Sequence, residues 1–188
     1  MIVVGILVPS VTTAPVSNSE PNSVLEIARL AAATGARTEI VGVSPSGQVG
    51  DRQLAQLAAA RVGHATVTRS SAGGIDPADL DLALRYLPDV QVVVLVAPAA
   101  TLLATALAAS AWSGAELVVV GPLDEDASAE LDATAGRHGA PIVLDPPARD
   151  LDGAFAGLVA ALAARLDAGE DRAGAWRSTL AALAIEPA

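Results

Sequence analysis

No cysteine occurs in the 188 residues. Disulfides, thiolate nucleophiles and cysteine-ligated zinc or iron–sulfur clusters are therefore excluded. Lysine is missing as well, since all 11 basic residues are arginine. A Walker-type phosphate loop and a pyridoxal Schiff base each need a lysine, so both are ruled out. Positive charge is scarce: 21 acidic residues against 11 basic ones give a formal net charge of −10. Nucleic acid and anionic membrane surfaces call for a basic patch, and neither is expected as a partner. An anionic nucleotide would have to be held by local devices such as helix N-termini, arginines or a metal ion. No G-x-G-x-x-G follows any candidate strand, and there is no G-x-S-x-G elbow or Ser-His-Asp order. The two histidines, His64 and His138, stand beside glycines near expected helix ends, with no second ligand at metal-binding spacing, so no metal site is expected. Asp124-Glu125-Asp126 has the chemistry to hold Mg²⁺, but acidic residues are also what the start of a helix favours.

Apolar residues are abundant, at 52% of the chain, enough for a sizeable core in one domain spanning 1–188. Val- and Ile-rich runs recur at Ile2–Val8, Thr38–Val43, Ala65–Thr68, Val90–Ala97, Glu116–Val120 and Pro141–Leu144. Continuous apolar runs mark strands covered on both faces, as in parallel sheets. Helical patterns lie between them at Ser23–Thr34, Asp51–Ala60, Pro77–Tyr86, Ala99–Trp112 and Ala127–Arg137, and two more close the chain at Gly153–Asp167 and Asp171–Ala184. The alternation predicts an α/β, doubly wound, mostly parallel sheet with helices on both faces. Asp76-Pro77 reads as an N-cap with proline at the first helical position, and Gly35, Gly114 and Gly139 stand where C-terminal glycines belong. The uncharged run Val90–Ala115 is long enough for a bilayer, but Pro98 splits it into a β-branched and an Ala/Leu half, which predicts strand, turn and helix. MIVVGILVPSV lacks a basic leader and reads as a first buried strand, so a cytoplasmic location is expected.

In open α/β sheets ligands bind beyond the carboxyl ends of the strands. That rule singles out 9–22, 44–50, 97–101, 121–126 and 145–152. Gly50-Asp51 reads as a turn with a helix N-cap, and Asp152 likewise as the cap of the helix that follows it. Asn22 has the chemistry either to cap the helix from Ser23 or to face a ligand.

The stretch Asn22–Val62 resembles the ribokinase-like (PfkB) sugar and nucleoside kinases. The resemblance rests on Asn22, Val24, Ala28-Arg29-Leu30, Gly35-Ala36, the strand Thr38–Val43 and Gly50-Asp51, in order and spacing. It recurs more loosely over Ala115–Ala184, where GAPIVLDPPAR resembles a mid-chain family strand and DGAFAGLVAAL the start of the C-terminal helix pair. It implies a ribokinase-like three-layer fold, ATP or ADP with Mg²⁺, and a small-molecule substrate. It also implies roles: Asn22, Ser46 and Gly47 at the substrate; Arg149, Gly153, Ala154 and Phe155 at the phosphates; and Asp152, or Asp150, as the base that removes a hydroxyl proton.

The chain also departs from that pattern. Ser44, Ser46 and Gly47 stand where the family places a glycine and the substrate-holding aspartate. Asp152-Gly153 reverses the catalytic Gly-Asp, and Arg149-Asp150-Leu151 replaces its glycine-rich approach. No Asn-x-x-Glu motif is found downstream, and Val8–Asn22 leaves no room for lid strands. The expectation is thus a lid-less, kinase-like protein with an altered catalytic motif, binding a nucleotide or small metabolite or serving as a partner protein. A minimal active carbohydrate kinase and an unrelated nucleotide- or flavin-binding module are the alternatives. A homodimer through the Ala-rich last two helices is also expected, with Trp112 and Trp176 as either anchors or core residues.

Overall fold

The structure is a computed structural model that describes residues 1–6, 23–70, 74–87, 89–138, 140–147 and 153–183. The elements in chain order are β1 (Ile2–Ile6), α1 (Ser23–Ala33), β2 (Glu39–Ser44), α2 (Gln48–Ala59), β3 (Gly63–Arg69), α3 (Pro77–Tyr86), β4 (Val92–Val96), α4 (Ala100–Ser113), β5 (Glu116–Val120), α5 (Glu125–His138), β6 (Ile142–Leu144), α6 (Ala154–Asp167) and α7 (Arg172–Ala182). The six strands form one sheet in the order β3-β2-β1-β4-β5-β6, and every pair is parallel. This is a doubly wound order, with its direction reversing between β1 and β4.

The apolar runs build the sheet because both faces are covered. Register aligns Ile40, Val3, Val94, Val118 and Ile142 across the strands. Ile40, Val92, Val94, Val118 and Val120 join α1, α2, α6 and α7 in one core. Their neighbours along the strands, Val41, Val93, Leu95, Leu117 and Val119, join α3, α4 and α5 in the other. Successive residues point to opposite faces, so a strand buried on both sides must be apolar throughout. Val90–Ala115 resolves into β4, a turn and α4, and among the described residues no helix is long and apolar enough to cross a membrane.

Local signals set most helix ends. Asp76 Oδ1 accepts the Ala78 N–H at 2.8 Å at the start of α3, and Asp171 Oδ1 accepts that of Gly174 at 2.9 Å at the start of α7. Gly35 and Gly114 end α1 and α4 with φ of 93° and 74°, a backbone that glycine adopts without strain. Gly139 lies outside the described residues. Asp124 Oδ1 accepts the Ala127 N–H at 2.7 Å, so the acidic trio caps and flanks the start of α5.

Four expectations need correction. α2 begins at Gln48, three residues before Asp51, because Gly47 (φ 86°) breaks the chain first, and Asp51 therefore lies inside the helix rather than at its cap. The cap position of α6 is Gly153 rather than Asp152, and no side chain caps it. His64 belongs to β3, with Nδ1 3.0 Å from the Val62 carbonyl, instead of a helix end. Trp112 and Trp176 are exposed rather than core, at 74% and 37%. The two cores are filled almost wholly by Ala, Val, Leu and Ile, with Met1 and part of Phe155.

Gly157 stands inside α6 with nothing within 4 Å of where a Cβ would sit. A Gly157→Ala substitution is expected to raise stability by about 0.4–1 kcal/mol, because it restricts the unfolded chain without a clash. A higher urea midpoint at unchanged slope checks it, and a lower midpoint contradicts it.

Candidate functional site

Every strand is parallel, so the helices that follow β1, β2 and β6 all start at the carboxyl edge of the sheet. On one face they stand side by side in the order α2, α1, α6, α7. The placement of α6 matters most. It follows β6, at the edge of the sheet, yet it packs against α1 and buries Val159, Ala160, Leu162 and Ala163 with Val92 and Val94 of the central β4. At its far end the Asp167 carboxylate meets the Met1 ammonium group at 2.8 Å, beside the amino end of β1. α6 therefore runs from the carboxyl edge to the amino edge, parallel to α1, and its start lies by the switch between β1 and β4, where doubly wound sheets bind ligands.

The start of α6 is built for close approach. Gly153 has φ 67°, with open space around its Cβ position, and Ala154 is exposed. Phe155 turns inward against the core and anchors the first turn, and the Gly157 N–H donates to the Gly153 carbonyl at 3.3 Å. A helix start without a side-chain cap carries partial positive charge and favours an anion. In the first turns of α1, Glu26 accepts two hydrogen bonds from Arg29, at 3.1 and 3.2 Å. The hydrogen bond first, and then the charge of Glu26, raises the Arg29 pKa above its ordinary value.

The exit from β2 forms the other flank. Ser46 and Gly47 are exposed at the start of α2, and Ser44 is fully buried with its hydroxyl donating to Gln53 Oε1 at 3.2 Å. Gly50 sits so close to the β2 exit that a Cβ would lie 1.9 Å from the Pro45 carbonyl oxygen. The Asp51 carboxylate pairs with Arg69 of β3 at 2.6 Å, which directs it toward the sheet edge. In the middle, Ala97 (φ 45°) and Gly121 (φ 115°) turn the chain out of β4 and β5, and the Ala97 N–H donates to the Val120 carbonyl at 2.7 Å.

Of the residues expected from sequence, Ser46 and Gly47 lie on the α2 side of this edge, and Gly153, Ala154 and Phe155 form the start of α6. Asn22, Arg149, Asp150 and Asp152 lie outside the described residues. A cleft of about 430 Å³ lies beyond β5 and β6, lined by Pro122, Leu123, Ser128, Val143, Asp145 and Pro146. Pro122 and Leu123, and Asp145 and Pro146, belong to two of the segments singled out from sequence, but Ser128 and Val143 carry no local signal for such a role.

A nucleotide's phosphates fit the start of α6, which offers a glycine and a positive helix end. Among the described residues no group of three or more His, Cys, Asp or Glu is placed to hold a metal ion.

The fold defined by this sheet and these helix starts is ribokinase-like, a three-layer α/β/α architecture. A ribokinase from Arabidopsis thaliana, complexed with ribose and ATP, superposes with a TM-score of 0.59 at 14% identity, covering 97% of this chain and 91% of that one. A fructokinase with bound ATP from Xylella fastidiosa gives 0.58 at 13% identity, covering 84% and 77%. An adenosine kinase from Sinorhizobium meliloti gives 0.57 at 12%, covering 87% and 76%. No protein-family model and no curated protein matches the sequence.

Proposed function

We propose that the protein is a kinase-like binder of a nucleotide or small phosphorylated metabolite, on a single lid-less cytoplasmic domain, with the phosphotransfer chemistry of its structural neighbours impaired. The observation that carries this reading is the return of α6 from β6 to the centre of the sheet, which brings the Gly153–Phe155 start beside α1. Bound ATP in two of the neighbouring kinase structures supports a nucleotide as the ligand class. The impairment follows from the order Asp152-Gly153 and from Arg149-Asp150-Leu151, where side chains occupy a stretch that glycines would leave open. In this reading Arg149 holds phosphate oxygens together with the α6 start, while Asn22, Ser46 and Gly47 border the rest of the ligand. Mg²⁺, when bound with ATP, would neutralise phosphate charge.

Unfolding temperature measured with ATP, ADP and AMP, with and without Mg²⁺, tests it. A ligand at a hundred times its dissociation constant adds about 2.7 kcal/mol of stability. The expected result is a rise with at least one nucleotide, reduced at least tenfold in affinity by Arg149→Ala, and no product over a panel of sugars and nucleosides. Turnover abolished by Asp152→Asn would replace this reading with a working minimal kinase. No rise with any nucleotide removes the nucleotide from this reading and the minimal kinase with it, and favours another small metabolite or an unrelated ligand module.

A further inference from the structure

The sheet ends at β3, and no described element covers that end. β3 is the longest strand among the described residues, at seven residues, and its outer edge pairs with no described strand. An unpaired edge presents a row of backbone donors and acceptors ready for another extended chain. Beside it a cavity of about 230 Å³ opens between β2, β3 and α3, lined by Val41, Val43, Thr66, Thr68, Leu82 and Tyr86 among others. The Thr66 hydroxyl donates to the Ile40 carbonyl at 2.7 Å and the Thr68 hydroxyl to that of Gly42 at 3.5 Å, so both turn back onto β2. α3 buries Leu80, Ala83 and Leu84 on its core side, yet it leaves Leu82 54% and Tyr86 79% exposed next to the same cavity.

We infer that a second copy of this chain docks here, the two β3 strands pairing antiparallel about a two-fold axis at Thr66. The β3 sequence is self-complementary in that register. Gly63 faces Arg69, His64 faces Thr68, Ala65 faces Val67 and Thr66 faces itself, so no like charges stand opposite and a pair of β-branched threonines lies at the centre. The charges flanking the strand agree. Arg61 is exposed just before β3, and the Asp51–Arg69 ion pair sits at its other end. Antiparallel pairing brings the start of one strand to the end of the other, which sets each Asp51 between its own Arg69 and Arg61 of the partner subunit. The same axis keeps both α3 helices on one face, where Leu82 and Tyr86 of each copy close over the joined strands. A two-fold contact maps this patch onto itself and forms a closed pair. The apolar positions of α6, in contrast, are taken up by the core between α1 and α7.

The absence of cysteine makes a register-specific test possible. Directly opposed residues on antiparallel strands have Cα atoms about 4.5–5.5 Å apart, within the span of a disulfide. Under mild oxidation the Thr66→Cys variant is expected to form a covalent dimer at least tenfold faster than Thr68→Cys, which faces His64 instead of itself. Sedimentation of the unmodified protein is expected to give twice the 18.7 kDa chain mass. Tyr86→Asp, at an exposed position that leaves the fold intact by circular dichroism, is expected to weaken the pair at least tenfold. A single-chain mass up to 0.1 mM, a dimer unmoved by Tyr86→Asp, or equal crosslinking of the two cysteine variants would each overturn the inference.

Discussion

A Leu162→Ala variant is expected to lose about 2–5 kcal/mol of unfolding free energy, the range for emptying a well-packed leucine site. Leu162 is fully buried at the middle of α6, in one core cluster with Ile27 of α1, Val94 of β4 and Val118 of β5. Its neighbours on the two helices are largely alanines: Ala28 and Ala31 on α1, and Ala156, Ala160 and Ala163 on α6. Alanine has no χ rotamer with which to relax into a void, so most of the cavity should persist. A domain of this size is commonly stable by only 5–15 kcal/mol, so the loss is a large fraction of the total. The substitution also bears on the site, since Leu162 holds α6 across the sheet centre and so fixes where the helix start sits. Urea unfolding gives the stability, and nucleotide-induced shifts give the second effect. A loss below 1 kcal/mol would mean that α6 does not dock as described.

Gly50→Ala is expected to cost about 1–3 kcal/mol, the usual penalty for overpacking. On propensity alone the change should help, because alanine favours a helix interior over glycine by about 0.5–1 kcal/mol. The tertiary setting reverses the sign. The added Cβ would lie 1.9 Å from the Pro45 carbonyl oxygen and 2.9 Å from Ser44 Oγ, and the nearer of these is backbone, which cannot rotate away. Relief requires α2 to move off the β2 exit, disturbing the Ser44–Gln53 hydrogen bond and the loop that presents Ser46 and Gly47. Gly157→Ala is the matched control, a helical glycine with open space. Opposite signs for the two in thermal unfolding are the expected outcome, and equal signs would contradict this view of the β2–α2 junction.

Strand positions were readable from the sequence because each apolar run is buried on both faces, which leaves a local pattern that does not depend on the rest of the chain. Glu116–Val120 and Pro77–Tyr86 coincide with the observed elements, and Asp76 caps as its proline neighbour suggests. The errors fall where backbone geometry or burial overrides residue type. The start of α2 is set by the positive φ of Gly47, and the caps expected at Asp51 and Asp152 gave way to glycines at Gly47 and Gly153. Trp112 looked like core by residue type, but the cores close without it.

The candidate site divides in the same way. Gly153, Ala154 and Phe155 were visible as a helix start, because glycine before an apolar run is a local signal. Their position beside α1 was not, since it depends on α6 crossing back from the edge strand over β5 and β4. The sequence by itself determined the α/β class, the parallel sheet and the reactions closed to a chain without cysteine or lysine, all consequences of composition and short-range periodicity. Only the tertiary structure decided the strand order, which helix start reaches the switch between β1 and β4, and that β3 and β6 form the edges of the described sheet. Those depend on residues far apart in the chain coming together, as Val3 and Val94 do in the sheet register and Ile27 and Leu162 do in one core, which leaves no trace in local spacing.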